Sequence, residues 1–399
     1  METSLKKSLK IGTCCITAYL VSYISRNVLS VCTPHMLENA FFDKEYIGLL
    51  SSVFFCFYAV GQLFSGIAGD AVKPRNMIFA GFFISSACMT AIPLFLNRTV
   101  HFFCFSLCGL ALSMLRGPIT KLISENTEPK HAKLLCTVLN AASFAGPLVA
   151  SALSVFLPWR SVFAVVGIIG FVISAAAPLF LLKMERAGKI TCILSEARGI
   201  SQVVSILKLD NFVFYMLLSA IGEIVNSSIT FWIPTYITEH LGLSSDEASV
   251  IFTLISLSGL IGPFLTLFVY EKVIKNDVRL SCIMYALSGL FFLAVRICPF
   301  PYINITLFML AKLSACCAVA IIWSVYIPSL AKSGMVSGAN GVMDSAGYLF
   351  AAISNAVFSG AVGVIGWSGL VDIWCALMIA VALGIVLRSA VKANKSLRR

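Results

Sequence analysis

The sequence predicts an all-α membrane protein with about twelve transmembrane helices in two six-helix halves, on three observations. Hydrophobic residues make up 59% of the 399-residue chain and charged residues 12%, with a mean hydropathy of +0.94. Soluble domains carry an apolar share of only roughly 45–50%. Apolar runs of roughly 20 residues, the helix length that crosses a hydrocarbon core of about 30 Å, recur from end to end. The longest polar interruption, residues 183–210, divides those runs six and six. A barrel is excluded because its strands alternate apolar and polar positions, whereas these runs are apolar all round.

In chain order the spans are 11–33, 46–69, 76–96, 100–123, 134–157 and 161–182, then 211–237, 247–270, 280–298, 303–330, 336–362 and 367–388. The first follows Lys6, Lys7 and Lys10, but it is longer than a signal-peptide core of about 7–15 residues and no small-x-small cleavage site follows, so it is read as a retained helix. The second ends in "GIAGDAVKPRN", and the fourth holds Arg116 in "LSMLRGPITK". The fifth and eighth carry Gly146-Pro147 and Gly262-Pro263, which permit close packing or bending. The seventh holds Glu223 and Asn226, the tenth Lys312 and the eleventh Asp344. The domain division is therefore 1–183, a linker at 184–210, and 211–399. Within the linker Ile200, Val203, Val204, Ile206 and Leu207 recur near helical spacing, which predicts a short interfacial helix.

The net charge of +11 would suggest nucleic acid in a soluble chain, but its placement gives it another meaning. Lys and Arg cluster at 6–10, 73–75, 121–133, 183–208, 272–279, 332 and 388–399, including Arg198, Arg398 and Arg399. Facing them across the spans stand Lys44, Arg98, Arg160 and Arg296. The positive-inside rule then puts both termini in the cytoplasm of a multi-pass protein of the inner or plasma membrane. The 14 cysteines, among them Cys14-Cys15 and Cys316-Cys317, lie mostly within spans without C-x-x-C spacing, and are read as small packing residues. No His/Cys/acid cluster, nucleophile–base motif or phosphate-cradling loop is visible. The sequence therefore calls for no metal, no cofactor and no enzymatic activity.

Arg26, in "SYISRN", stands within the first span. An arginine at membrane depth costs about 2.5–3.5 kcal/mol on insertion scales, so it needs a partner, a water-filled cavity or a substrate. "SRNVLSVCTPHMLE" (25–38) aligns without a gap on "VNSSITFWIPTYIT" (225–238), placing Pro34 on Pro234 and Arg26 on Asn226 at an offset of 200. An acidic loop, "ENAFFDKE" or "EHLGLSSDE", follows each. Parallel six-helix repeats place a substrate site near the midplane between the halves. One wall would be cationic through Arg26 and the other polar through Asn226.

Several further residues have more than one open reading. Arg116 either snorkels to the interface or pairs with a helix end, or is a second cation for substrate. Glu223, one turn before Asn226, either balances Arg26 or Arg116, takes up a proton, or binds an ammonium group of the cargo. Asp344 is a second proton-coupling candidate, or pairs with Lys312. Tyr58 and Gln62 are candidate contacts, and Tyr23, Trp232, Trp323 and Tyr348 share plausible cavity helices as amphipathic residues. Gly66, Asp70 and Arg75, with Lys73, form a turn that is either a solvated loop or an ion-pair latch at one membrane face.

With these residues in view, the chain resembles the major facilitator superfamily. "GIAGDAVKPR" is similar to that superfamily's G-x-x-x-D-x-x-x-x-[RK] loop between helices two and three. "YISRNVLSVCTPHM…IGLLSSVFFCFYAVGQLFSGIAGDAVKPR", "FWIPTYI" and "GMVSGANGVMDSAGYLFAA" resemble the organophosphate:phosphate antiporters, which include glycerol-3-phosphate and sugar-phosphate permeases. The resemblance implies an arginine clamp for phosphate, with Arg26 as the first arginine and Asn226 where the second would stand. Other positions basic in the glycerol-3-phosphate antiporter are Asn27, Gln62 and Ser143 here. A dianionic phosphate is best held by several cations. The expectation is therefore a monomeric secondary transporter, antiporter or symporter, for a small polar organic anion or zwitterion. Its rivals are a transporter-like receptor that binds such a ligand without net transport, and a lipid-acting enzyme for which no catalytic cluster is found.

Overall fold

The computed structural model of the chain describes residues 2–37, 41–194 and 199–397. Arg198, Arg398 and Arg399, counted in the charge asymmetry, and residues 38–40 of the first acidic loop lie outside the described residues. The helices are α1 (Glu2–Leu37), α2 (Lys44–Ala71), α3 (Pro74–Ala91), α4 (Arg98–Asn126), α5 (Pro129–Phe156), α6 (Trp159–Arg186) and the short α7 (Ile200–Leu207). Then come α8 (Phe212–Glu239), α9 (Ser245–Lys272), α10 (Asp277–Ile297) and α11 (Pro301–Ile321). A π turn Ile322–Tyr326 and two short turns, Ile327–Ser329 and Leu330–Ser333, lead into α12 (Val336–Leu397).

Local chemistry sets the helix starts. Asp43 accepts a hydrogen bond from Tyr46 N at 2.7 Å before α2, and Asn97 accepts from Thr99 N at 2.9 Å before α4. Ser244 and Glu247 form a reciprocal capping box on α9, satisfying amides that the helix itself leaves unpaired. Helices α3, α5 and α11 open on proline, where the missing N–H removes no internal bond. Helix α12 is two helices. At Gly366 the backbone takes φ 69° and ψ −179°, a left-handed conformation that glycine adopts without a Cβ penalty, and the break falls between the predicted spans 336–362 and 367–388.

Ten stretches among the described residues are long and apolar enough to cross a membrane. The two other predicted spans are the 18-residue α3 and the part of α12 before Gly366. Both α2 and α9 have 28 residues, and their starts, Lys44 and Ser245, fall one residue from the predicted 200-residue offset.

The chain folds as two compact units: Met1–Asp210 with Ile327–Ser345, and Asn211–Tyr326 with Ala346–Arg399. The linker 184–210 thus belongs with the first unit. Residues 327–345, expected in the half 211–399, cluster there too, held by contacts described below. One core of the first unit is aromatic. His101 stacks on Phe42 at 5.8 Å and bonds Ile92 O through Nε2 at 3.1 Å, with Trp159 edge-on to Phe42 at 5.4 Å. In the second unit the fully buried Trp374 donates to Ser228 Oγ at 3.0 Å and packs on Phe308 and Phe292. Tyr236 donates to Asn304 Oδ1 at 2.9 Å nearby, so these buried polar atoms are paired in an apolar interior where no water competes.

Candidate functional site

Helix α1 presents Arg26 one turn after Tyr23, and α2 presents Phe55, Tyr58 and Gln62 at spacings that share a helix face. The Arg26 guanidinium lies 4.5 Å from the Tyr58 ring centroid and 5.2 Å from those of Tyr23 and Phe55, and donates to Tyr23 Oη at 3.3 Å. Ring quadrupoles stabilise a cation by about 0.5–2 kcal/mol per face, more as water is removed. Aromatic faces therefore offset much of the cost of placing this charge at membrane depth, and a guanidinium is a planar group suited to a carboxylate. Tyr58 and Gln62 are buried, and Gln62 Nε2 has no hydrogen-bond partner.

Arg116, which snorkelling would have carried to the interface, instead pairs with Asp344 at 3.1 Å, side chains 12% and 6% exposed. Arg26 acts on the same carboxylate electrostatically, so two arginines and one acid form a cationic group within the first unit. Lys312, the partner weighed for Asp344, donates to Thr230 Oγ1 at 3.0 Å in the second unit. Which acid meets which cation is decided by packing at long sequence separation.

In the second unit Asn226 Oδ1 accepts from Cys316 Sγ at 3.4 Å. Glu223 stands near Gly347, where a Cβ would meet Glu223 Cγ at 3.4 Å. Asn27 and Ser143, weighed as replacements for basic residues, turn their side chains back to Tyr23 O and Asn140 O on their own helices. This is an ordinary local use of such groups and leaves them little part in a binding surface.

The turn between α2 and α3 is organised differently from an ion pair within the loop. Lys73 and Arg75 both pair with Glu185 at the end of α6. Asp70 turns inward to residues 336–338 at the start of α12. Its Oδ1 accepts from Ser337 N at 3.0 Å and its Oδ2 from Gly338 N at 2.9 Å, with Gln202 Nε2 of α7 at 3.0 Å. A carboxylate against exposed amides at a helix N-terminus is favoured by both hydrogen bonding and the helix dipole. The fully buried Lys121 completes the cluster, 3.6 Å from Asp70 Oδ1, 3.9 Å from Glu125 Oε1, and donating to Asp70 O at 3.0 Å and Gly334 O at 3.3 Å. Lys121 and Gln202 were absent from the sequence-derived site. The i, i+4 pairing of Lys121 with Glu125 was a visible signal, but a lysine at a helix end reads equally well as an exposed charge.

Small residues let these helices meet. A Cβ at Gly66 would stand 2.7 Å from Gly341 Cα, one at Gly338 2.6 Å from Asp70 Oδ2, and one at Gly117 2.4 Å from Ser337 Oγ. The contact at Gly66 is with backbone, which cannot rotate away. Gly66→Val is expected to destabilise the protein by about 1–3 kcal/mol, the range for overpacking, whereas Gly48→Ala, with open space around it, should be near neutral. Thermal unfolding of the purified variants reads the difference.

Residues 15–355 match the profile of the Major Facilitator Superfamily. The chain belongs to the major facilitator superfamily. It is a multi-pass integral membrane transporter and not an enzyme. Within this superfamily it is 24% identical over 298 residues to the hexuronate transporter of Bacillus subtilis (strain 168), covering 70% of this chain and 69% of that protein. It is 21% identical over 299 residues to the glycerol-3-phosphate transporter of the same organism, covering 68% and 67%. Among solved structures, the proton:xylose symporter XylE bound to 6-bromo-6-deoxy-D-glucose superposes with a TM-score of 0.72 at 14% identity over 95% of each chain, a likeness of fold.

Proposed function

We propose that the protein is a secondary transporter of the plasma membrane, with both termini cytoplasmic. It would move a small organic anion by alternating access and work as a monomer. The observation that carries this reading is the pair of membrane-depth arginines, Arg26 and Arg116, grouped around Asp344. Two guanidinium groups beside the Asp344 carboxylate suit a monoanion such as a sugar acid. A phosphate dianion calls for more cations than this group offers, and Asn226 stands where the antiporter resemblance would require the second. The relationship to a hexuronate transporter supports the same choice. Arg26 is the main contact for the anionic group, with Arg116, Tyr58 and Gln62 assisting. The Asp70 cluster acts as the gate at the cytoplasmic face.

Proteoliposomes test the reading. D-galacturonate and sn-glycerol 3-phosphate are each offered outside vesicles that are empty, loaded with the same compound, or subject to an imposed pH gradient. Galacturonate uptake that needs internal galacturonate identifies exchange, and uptake driven by the gradient identifies proton symport through Glu223 or Asp344. Binding without flux under all three conditions would instead indicate a receptor. Absence of both binding and flux for either anion would refute the proposal.

A further inference from the structure

The contact between Arg116 and Asp344 is an imperfect one for groups so deeply placed. An arginine fork and a carboxylate can make two parallel hydrogen bonds, yet Asp344 reaches Arg116 through Oδ1 while its buried Oδ2 has no hydrogen-bond partner. A buried carboxylate oxygen left without a donor is costly, so a better-placed anion competes for Arg116 on favourable terms. The site also holds an unused donor. Gln62 Nε2 is buried without a partner, and the Gln62 backbone carbonyl lies against Gly341, one turn before Asp344 on α12. Arg26 and Tyr58 lie within electrostatic range of the same carboxylate. A buried donor, Gln62 Nε2, and a buried acceptor, Asp344 Oδ2, are thus both left unsatisfied, and one acid fills the place of an anion poorly.

From this geometry we propose that Asp344 is an internal counter-anion: it occupies Arg116 while the transporter is empty and yields it to the carboxylate of an incoming substrate. The inference rests on the reading of the protein as an organic-anion transporter and adds the element that makes binding reversible. An arginine pair able to hold a monoanion in a dry site would release it slowly. A tethered carboxylate that competes for the same guanidinium lowers the apparent affinity by the fraction of time it holds Arg116 and reoccupies Arg116 as the substrate leaves. No bond is made or broken in this exchange, and the local charge of the empty and loaded states differs by the substrate's own charge. Asp344 acts through Arg116 and so is a positioning residue.

The test uses the full chain, purified and reconstituted, with D-galacturonate as the probe. Asp344→Asn keeps the side-chain shape and removes the competing charge. It should bind galacturonate at least about ten-fold more tightly than wild type while its exchange rate in counterflow falls, because release has lost its competitor. A purely structural role would weaken both binding and transport together. Asp344→Glu restores a carboxylate and should return both values toward wild type. In the Arg116→Gln background, Asp344→Asn should tighten binding by less than it does with Arg116 present, since only the electrostatic effect of Asp344 on Arg26 remains to be removed. Unchanged or weaker binding by folded Asp344→Asn overturns the inference, while the anion-transport reading stands as long as wild type transports galacturonate. If Asp344→Asn does not fold, Asp344→Ser carries the same comparison, and failure of both to fold would assign the carboxylate a structural role and overturn the inference. Wild type that neither binds nor transports galacturonate overturns the anion reading and the inference together.

Discussion

Arg26→Ala should weaken galacturonate binding by at least about thirty-fold, because removing one partner of a desolvated charge pair costs about 2–5 kcal/mol. The size of the effect follows from the setting. Arg26 is held by the faces of Tyr58, Tyr23 and Phe55 and donates to the Tyr23 phenol. Aromatic faces stabilise the cation without neutralising its charge in the way a bidentate carboxylate would. Arg26→Lys keeps the charge but loses the planar fork and the stacking, so it should fall between alanine and wild type. Stability should move far less than binding, since losing the aromatic contacts is partly offset by removing a charge from membrane depth. Equilibrium binding and thermal unfolding on the same preparations separate the two effects. Transport of galacturonate by Arg26→Ala at the wild-type rate would remove Arg26 from the site.

How much of this was legible in the sequence depends on the distance over which each feature is decided. The span pattern, the linker helix and the repeat were legible because hydropathy and helical spacing are local. Residues 200–207 form the predicted short helix, and α2 and α9 begin within one residue of the repeat offset. Arg26 stood out because a charge inside an apolar run is costly wherever the helix packs. Partner choice was not legible. Asp70 lies beside Lys73 and Arg75 in sequence, but its hydrogen bonds go to Gln202, Ser337 and Gly338, while the two cations meet Glu185. Asp344 was paired with Lys312 by sequence reasoning, and tertiary packing selected Arg116 instead. The assignment of residues 327–345 to the first unit follows from the same contacts, made by glycines and backbone amides that have no hydropathy signature.

Lys121→Met should produce the largest loss of stability of any single substitution considered, about 3–5 kcal/mol, the cost of removing one partner from a buried charge cluster. The lysine is fully buried, its ammonium lies between Asp70 and Glu125, and the side chains of all three are nearly inaccessible. Methionine fills the same volume, so the loss would be electrostatic: two carboxylates would remain near each other with their shared cation gone. Asp70 would keep the amides of Ser337 and Gly338, which sets the lower end of the range. Removing the charges together should be milder than removing one. Lys121→Met combined with Asp70→Asn leaves Glu125 as the remaining acid of the cluster and should recover part of the stability, a coupling that a double-mutant cycle measures directly. The structural consequence is local before it is global. Lys121 also holds Gly334 O, and with Asp70 it fixes the start of α12 to α2 and α4, so amide exchange at 334–341 should rise in Lys121→Met ahead of exchange in the aromatic core around His101. Equal protection of both regions in the variant and wild type would mean that the buried charges do not hold this end of the unit together. Close packing of Gly66 on Gly341 would then be what does.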